Sequence, residues 1–157
     1  MIGIGYDSHR LKKGGRLIIG GIEIESEFGT IAHSDGDVLI HSLVDAILGA
    51  MAAGDIGELF PDTDIKYKDY NSVLFLEKVV ELIKDKRLKI VNIDTVIILE
   101  AIKISKYKQI IREKIASICG IEINRVSIKA KTNEMMGFIG KGEGLATITV
   151  CELAELL

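Results

Sequence analysis

Stretches rich in β-branched residues alternate along this chain with amphipathic stretches of helical period, and no other feature restricts the possible folds as strongly. The β-branched stretches cover residues 2–6, 16–24, 91–99, 126–131 and 145–153. Their partly alternating apolar pattern is typical of strands. Strands interleaved with helices predict an α+β or two-layer α/β fold, in which helices cover one face of a mixed β-sheet.

Three stretches have the period of an amphipathic helix. The first follows Asp37 and ends near Gly49, the second follows Asn71, and the third ends at Gly120. Aspartate and asparagine are common N-terminal caps, and glycine commonly closes a helix. A chain of 157 residues, 48% of them apolar, has the size and composition of one globular domain. We therefore expect a single domain over residues 1–157 with one core.

Charge and cysteine content exclude several classes of partner. The chain carries 20 basic and 23 acidic residues, a net charge of −3, and no basic run that would indicate binding to nucleic acid or to an anionic membrane surface. No apolar run approaches the roughly eighteen residues of a membrane span. Cys119 and Cys151 are isolated among apolar residues, which argues against a disulfide framework. We expect a protein of the reducing cytoplasm.

The histidines are the strongest local signal for chemistry. His9, His33 and His41 all lie in the first quarter of the chain beside aspartates. On a strand, Asp7 and His9 point to the same face because successive side chains alternate. His41, about one turn into the first helix, can add a third ligand. Two histidines and one carboxylate with an open position suit a zinc site, with bonds of about 2.0–2.2 Å.

Two alternatives to a zinc site remain open on the spacing alone. In the first, Asp7 and His9 form a hydrogen-bonded pair, and His41 is satisfied by Asp37 or Asp45. In the second, the same ligand set binds the iron of a non-heme oxygenase. Asp45 lies one turn after His41 on the first helix, and we expect it to orient the imidazole when a metal is bound.

Three further polar stretches indicate ligand binding. Residues 32–37 precede a helix, whose N-terminal N–H groups favour anions, although these residues can equally serve only as its cap. Residues 54–64 are acidic and suit sugar or polyol hydroxyls, or else form a solvated turn. In residues 131–144 glycine alternates with charge, so freed backbone amides suit phosphate oxygens and Glu134 suits a hard cation. That stretch lacks the spacing of a Walker loop.

Four motifs in these stretches together resemble the 2-C-methyl-D-erythritol 2,4-cyclodiphosphate synthase family. They are Asp7-Ser8-His9, the AHSDGD stretch from Ala32, the GDIGELFPDTD stretch from Gly54, and Glu134 followed by Gly137-Phe138 and GKGEG. The resemblance covers nearly the whole chain in order. It implies a lyase that converts 4-diphosphocytidyl-2-C-methyl-D-erythritol 2-phosphate to the cyclic diphosphate and CMP, in non-mevalonate isoprenoid precursor synthesis. It also implies a homotrimer whose sheets pack around a three-fold axis and whose active sites lie between subunits.

The resemblance also assigns two metal sites. Asp7, His9 and His41 would bind one zinc ion per subunit, and Glu134 would bind a second divalent cation, Mg²⁺ or Mn²⁺, between the substrate phosphates. Because the 2-phosphate of the substrate is the nucleophile, the enzyme needs to supply only positioning and charge neutralisation. A non-enzymatic, trimeric ligand-binding module with a structural histidine cluster is the alternative to an enzyme.

The remaining site residues follow from the resemblance as well. His33 and Thr132 match positions that stabilise the transition state. The predicted substrate contacts are Ser34, Asp55, Gly57, Phe60, Asp62, Asp64, Leu99, Lys103, Ile104, Ser105, Lys131, Asn133, Phe138 and Lys141, with the cytidine pocket at residues 99–105. Two positions depart from the family pattern: Ile102 stands where proline is common, and Lys141 where arginine is common. Lysine keeps the charge but loses the bidentate fork.

Overall fold

A five-stranded mixed sheet is the centre of the computed structural model, which describes residues 1–61, 63–67 and 70–156. The strands are β1 (Ile2–Lys13), β2 (Leu17–Ile19), β3 (Ile22–Ile24), β4 (Phe28–Ile31), β5 (Leu88–Ile98), β6 (Val126–Lys131) and β7 (Gly144–Glu155). The helices are α1 (Val38–Ala50), α2 (Ile56–Leu59), α3 (Ser72–Asp85), α4 (Lys108–Cys119) and α5 (Gly137–Gly140), with 3₁₀ turns at Ile65–Tyr67, Ser105–Tyr107 and Ile123–Arg125. Asp62, a predicted substrate contact, lies outside the described residues.

The order of strands in the main sheet is β4-β1-β7-β5-β6. The β5–β6 pair is parallel, and the other neighbours are antiparallel. α1 packs on β1 and β7, and α3 lies between α1 and α4 in the same helical layer. This arrangement confirms the predicted α+β class. None of the helices in the described part of the chain has the length and apolarity needed to cross a membrane.

The helix ends are where the sequence predicts them. The Asp37 carboxylate accepts a hydrogen bond from the N–H of Ile40 and begins α1, and Asn71 caps α3 by accepting from Val73. Gly120 closes α4 with a φ of 65°, in the left-handed region that glycine adopts without strain. α1 continues one residue past Gly49, because glycine weakens a helix without removing any of its backbone hydrogen bonds.

The strands differ more from expectation. The predicted strand over residues 16–24 is a hairpin, β2–β3, because Gly20 and Gly21 adopt φ values of 63° and 73° and turn the chain between its halves. β1 extends to Lys13, well past the predicted residue 6, since its second half pairs with β4. β4 itself is too short and too mixed in composition to stand out as a strand in the sequence.

Two glycines of β1 allow α1 to approach the sheet closely. A Cβ on Gly5 would lie 1.9 Å from the carbonyl oxygen of Ser42, and one on Gly3 would lie 2.0 Å from that of Ala46. Asp37 fixes the start of the same helix, because its buried carboxylate also accepts the N–H groups of Gly20 and Gly21. The start of α1 is thereby tied to the β2–β3 hairpin, while the following turns of α1 lie directly on β1.

Candidate metal centre and substrate cleft

Three possible metal ligands converge where β1 passes beneath the first turn of α1. Oδ2 of Asp7 lies 3.0 Å from Nε2 of His9 and 3.1 Å from Nδ1 of His41, and the two imidazole nitrogens lie 3.2 Å apart. Asp7 and His9 share a face of β1, as the strand period predicts. The three side chains are 13–24% exposed, so the cluster is enclosed by protein on most sides and open on one.

The charges of these side chains favour a cation at the centre of the cluster. Burial opposes ionisation of the Asp7 carboxyl, but hydrogen bonds and charge from His41 and His9 outweigh it and lower the pKa of Asp7 to about 2. Burial also opposes the charged form of His41, yet the hydrogen bond and charge of Asp7 raise the pKa of His41. The cluster therefore attracts positive charge, which a proton or a metal ion can supply.

The geometry fits a tetrahedral metal ion such as zinc. Ligand atoms in a tetrahedral site with bonds of about 2.0–2.1 Å lie about 3.3 Å from one another. The triangle formed by Asp7, His9 and His41 has sides of 3.0–3.2 Å. The two imidazole nitrogens face each other with one oxygen beside both, so a cation can contact all three without moving the backbone. Their open side leaves one position for another ligand.

The second ring nitrogen of His41 points away from the triangle. Its Nε2 lies 2.9 Å from the hydroxyl oxygen of Ser72 and 3.2 Å from that of Ser34. The Asp45 carboxylate, the group predicted to orient His41, accepts the N–H of Ile56 at 2.8 Å here, and its role toward a metal-bound His41 stays a prediction. Helical side chains lean toward the helix N-terminus, which carries the His41 ring toward α3 and away from a residue one turn later.

A cleft of about 460 Å³ opens beside this triangle. Its lining is His9, Ile31, Ala32, His33, Ser34, His41, Ile56, Gly57, Phe60, Tyr67 and Phe75. The structure therefore brings together two predicted zinc ligands, His33 and the predicted contacts Ser34, Gly57 and Phe60. Apolar and polar groups share the lining, as is typical of small-molecule sites.

The segment that carries the predicted polyol contacts is anchored by aromatic packing. Phe60 is buried, with its ring centroid 4.6 Å from that of Phe75 and 5.6 Å from that of Tyr67. Asp55 is exposed and caps α2 by accepting the N–H of Glu58. Asp64 forms an ion pair of 2.7 Å with Lys66. Both carboxylates lie on the surface, and the aromatic contacts hold their segment against α3.

The second predicted cluster lies in the turn after β6. The Thr132 hydroxyl donates to the Glu134 carboxylate at 3.0 Å, and both side chains are exposed. Glu134 and Met135 have φ values of 50° and 60°, a conformation that costs a residue with a side chain about 1–3 kcal/mol. The Glu100 carboxylate supports this turn by accepting the N–H groups of Asn133 and Met135 at 2.8 and 3.1 Å.

The strand register separates this turn from the zinc cluster within one chain. Ser8 pairs with Ala146, Ala146 with Ile98, and Ile98 with Lys131, so all four lie in one row across the sheet. Three strand spacings of about 4.8 Å put the end of β6 about 14 Å from β1. One chain therefore presents the two predicted metal clusters at separate places.

The other predicted contacts fall into buried and accessible groups. Leu99 and Ile104 are 4% and 3% exposed, so only their backbone groups can meet a ligand. Lys103 and Ser105 line a second cavity of about 470 Å³, together with Ile102. Phe138 lines a third, of about 280 Å³, with Ser8 and His9. Lys131 and Lys141 are exposed.

Sequence reasoning missed two residues near these clusters. Ser72 follows Asn71, the cap of α3, and a serine at that position indicates only the start of a helix. The contact between Ser72 and His41 depends on how α1 and α3 pack. Glu100 lies at the end of a strand, where a lone acid carries no signal of its own. Each acts on a partner more than thirty residues away in sequence, which no local pattern records.

Comparisons with known proteins agree with the geometry. A family model described as the YgbB family matches residues 1–154. The 2-C-methyl-D-erythritol 2,4-cyclodiphosphate synthase of Brachyspira hyodysenteriae is 51% identical over 154 residues, 98% of each chain. That of Caldicellulosiruptor bescii is 48% identical over 154 residues, 96% of this chain and 98% of the relative.

A solved structure is similar over the same length. The CDP complex of IspF from Plasmodium falciparum superposes with a TM-score of 0.87 at 36% identity, covering 98% of this chain and 95% of that one. With the family-model match and with relatives about half identical over almost their whole length, this similarity leads to one conclusion: the chain belongs to the YgbB family of 2-C-methyl-D-erythritol 2,4-cyclodiphosphate synthases.

Proposed function

We propose that the chain cyclises 4-diphosphocytidyl-2-C-methyl-D-erythritol 2-phosphate to 2-C-methyl-D-erythritol 2,4-cyclodiphosphate and CMP. An oxygen of the 2-phosphate attacks the β-phosphorus, and the bond from the β-phosphorus to the bridging oxygen breaks. CMP leaves with that oxygen. Nucleophile and electrophile belong to one molecule, so the protein has to fold the substrate into an attacking geometry and neutralise its charge.

The observation that carries this proposal is the ligand triangle of Asp7, His9 and His41 at the edge of the 460 Å³ cleft, in a chain of this family. His33 and Ser34 lie in the same lining and can donate to phosphate oxygens. Gly57 and Phe60 line the same cleft. The cleft therefore offers donors for phosphate together with an apolar surface for the methylerythritol carbons.

We assign zinc to the triangle of Asp7, His9 and His41, and Mg²⁺ or Mn²⁺ to Glu134. When bound, the two divalent cations offset phosphate charge and act as Lewis acids on phosphoryl oxygens. Thr132 orients the Glu134 carboxylate through its hydrogen bond of 3.0 Å. The oxygen-only chemistry of Glu134 suits a hard cation, whereas the two imidazoles suit zinc.

The cytidine pocket is assigned to the cavity that contains Lys103 and Ser105. Lys103 supplies a positive charge at this cavity. Leu99 and Ile104 are buried, so their part in binding is through backbone groups. Ile102, where the family commonly has proline, packs partly against the core; this contact supports the loop without a proline ring.

We propose that three chains form a trimer and that each active site is shared by two of them. The separation of about 14 Å between Ser8 of β1 and Lys131 at the end of β6 supports this, because Glu134 would have to meet a substrate bound at Asp7. The sheet face away from the helices supports it. Ile2, Ile4, Tyr6 and Val150 are 73%, 68%, 56% and 37% exposed there, an apolar patch of the kind that subunit contacts cover.

A direct assay tests the proposed reaction. Purified protein is incubated with the cytidyl substrate, Zn²⁺ and Mg²⁺, and CMP and the cyclic product are measured by chromatography and phosphorus NMR. We expect equimolar CMP and cyclic diphosphate, both abolished by a chelator. Asp7→Ala should lose zinc and activity together, whereas Asp85→Ala, an exposed aspartate at the end of α3, should retain both. CMP formation by Asp7→Ala at the wild-type rate would contradict the site.

The contribution of His33 is tested in the same assay. His33→Ala should lower the rate about 100- to 1,000-fold, the usual effect of losing one donor that contacts charge in a transition state. Because His33 lies outside the ligand triangle, the zinc content of this variant should equal that of the wild type. Loss of zinc from His33→Ala would show that the residue supports the metal site instead.

A further inference from the structure

Ser72 links a predicted zinc ligand to a carboxylate that the proposed reaction does not use. Its hydroxyl oxygen lies 2.9 Å from Nε2 of His41, and the hydroxyl donates to Oδ1 of Asp35. Ser72 is fully buried at the start of α3. Two helix N-termini, those of α1 and α3, meet at this contact.

The direction of these hydrogen bonds follows from the ligand triangle. Nδ1 of His41 faces Asp7 and His9, so a metal ion bound there would take the lone pair of Nδ1. The ring hydrogen must then lie on Nε2, which donates to the Ser72 oxygen. The Ser72 hydrogen is directed to Asp35, which as a carboxylate only accepts. Each donor has one acceptor, and the chain of bonds runs in one direction.

Asp35 is held firmly enough to direct this chain. Its Oδ2 accepts the backbone N–H of Ser72 at 2.9 Å, and its Oδ1 accepts the N–H of Asp37 at 3.2 Å. Its own N–H donates to the carbonyl of Tyr70. The Asp35 carboxylate is therefore hydrogen-bonded both to Asp37, which caps α1, and to Ser72, the first residue of α3.

Ser34 is the competing partner of His41 and is the weaker one. Its hydroxyl lies 3.2 Å from Nε2, against 2.9 Å for Ser72. Ser34 is half-buried in the wall of the cleft, where its hydroxyl can form a hydrogen bond with a bound substrate instead of with His41. Ser72 is enclosed by protein, and its hydroxyl hydrogen is donated to the Asp35 carboxylate.

We propose that Ser72 and Asp35 are positioning residues that fix the tautomer and ring orientation of His41 for metal binding. This inference rests on the zinc site of the proposed function. Partners of this kind on the far side of a metal-bound histidine typically change metal affinity about 10- to 100-fold when they are removed. The two residues act through His41 and do not touch the metal or the substrate.

Zinc affinity, measured without substrate, tests the proposal. The metal-free chain is titrated with Zn²⁺ in competition with a chromophoric chelator. We expect Ser72→Ala and Asp35→Asn each to bind Zn²⁺ about 10- to 100-fold more weakly than the wild type. Because Asp35 acts through Ser72, the double variant should bind no more weakly than Ser72→Ala alone. Losses of affinity that multiply in the double variant would show that Asp35 does not act through Ser72, and would overturn the proposal.

Ser42→Ala is the matched control. Ser42 is equally buried on α1, but its hydroxyl bonds to the carbonyl of Leu39 and to Thr147 and Thr149. It should keep wild-type zinc affinity, and an equal loss in Ser42→Ala would mean that the effect is one of packing. Should Ser72→Ala fail to fold, the zinc affinity of Asp35→Asn, which keeps the shape of the side chain, tests the proposal: wild-type affinity in Asp35→Asn would overturn it.

A spectroscopic readout separates orientation from general destabilisation. In the zinc-loaded wild type, nitrogen NMR of the imidazole should show His41 with its hydrogen on Nε2, and Ser72→Ala should alter that resonance. Wild-type affinity in Ser72→Ala overturns the proposal even if the enzyme makes CMP. Conversely, if the zinc affinities shift as expected but no CMP is formed, the positioning role of Ser72 and Asp35 is confirmed and the proposed reaction is wrong.

Discussion

Glu100 accepts the backbone N–H of Asn133 at 2.8 Å, and so joins the end of β5 to the turn that carries Glu134. The same carboxylate accepts the N–H of Met135. Two consecutive residues of that turn, Glu134 and Met135, have positive φ. The hydrogen bonds to Glu100 offset this strain and hold the proposed ligand of the second cation in one conformation.

Glu100→Gln should therefore weaken the response to the second cation. The amide has one oxygen for two N–H donors, and hydrogen bonds to a charged acceptor contribute about 1.5–3 kcal/mol each. We expect the Mg²⁺ concentration that gives half-maximal CMP release to rise by about tenfold or more, with zinc content unchanged. Glu113→Gln, at an exposed acid that contacts Gln109, is the control and should leave the Mg²⁺ response as it is. An unchanged response in both variants would show that Glu100 does not support the second cation site.

Gly5→Ala should destabilise the protein and disturb the zinc triangle. The added methyl group would lie 1.9 Å from the carbonyl oxygen of Ser42 on α1, so the helix has to move away from β1. Overpacking of this kind costs about 1–3 kcal/mol. Gly49→Ala is the control, because its methyl group meets nothing closer than 3.8 Å and alanine favours the helix by about 1 kcal/mol. Thermal unfolding should show a lower midpoint for the first and an equal or higher one for the second.

Neither thiol should react in the folded protein. Burial raises the pKa of Cys119 to about 12 and that of Cys151 to about 12, and the thiolate is the reactive form. With Ellman's reagent near neutral pH we expect no rapid reaction, and two thiols per chain after unfolding in guanidinium. Rapid modification of the native protein would show that the packing of α4 on the sheet, or of β7 beneath the helices, is looser than described.

The zinc-free protein should become less stable as the pH rises past neutrality. Against the opposing effect of burial, Asp7 raises the pKa of His41 above its ordinary 6.5, so the folded chain binds this proton more tightly than the unfolded chain. The resulting stability is complete below the unfolded pKa and is lost as the pH rises through the folded one. We expect the unfolding midpoint of the metal-free wild type to fall between about pH 6 and pH 8.

Asp7→Asn provides the comparison for this pH dependence. Asparagine removes the charge that stabilises the His41 imidazolium, so the metal-free variant should show a flatter profile over the same pH range. Equal slopes in the wild type and the variant would mean that the interaction of Asp7 with His41 does not govern this part of the curve.

Local patterns predict much of the fold and of the zinc cluster. The caps Asp37, Asn71 and Gly120 follow from residue chemistry, and Asp7 and His9 share a face because strands alternate. Positions set by packing between distant elements do not follow. The partner of His41, for example, depends on the angle at which α3 meets α1. The hairpin at Gly20 and Gly21, by contrast, has a local signal that a single predicted strand ignores, since two glycines between apolar runs are typical of a two-residue turn.

The same limit applies to the arrangement of the two metal clusters. Asp7 and Glu134 are each recognisable in sequence, but their separation depends on the register of β1, β7, β5 and β6. That register is set by pairing across the whole sheet. The sequence therefore predicts the ligands, and the structure is needed to show that one chain holds them apart.

The claim that each active site combines two chains is tested most directly by mixing inactive variants. Asp7→Ala and Glu134→Gln are purified, mixed in equal amounts, dissociated and reassembled, and assayed for CMP release. A site shared between neighbours receives an intact zinc triangle and an intact Glu134 together in about one quarter of random arrangements. We predict recovery of about one quarter of the wild-type activity from two inactive parents; no recovery, with trimers shown to have exchanged subunits, would contradict the shared site.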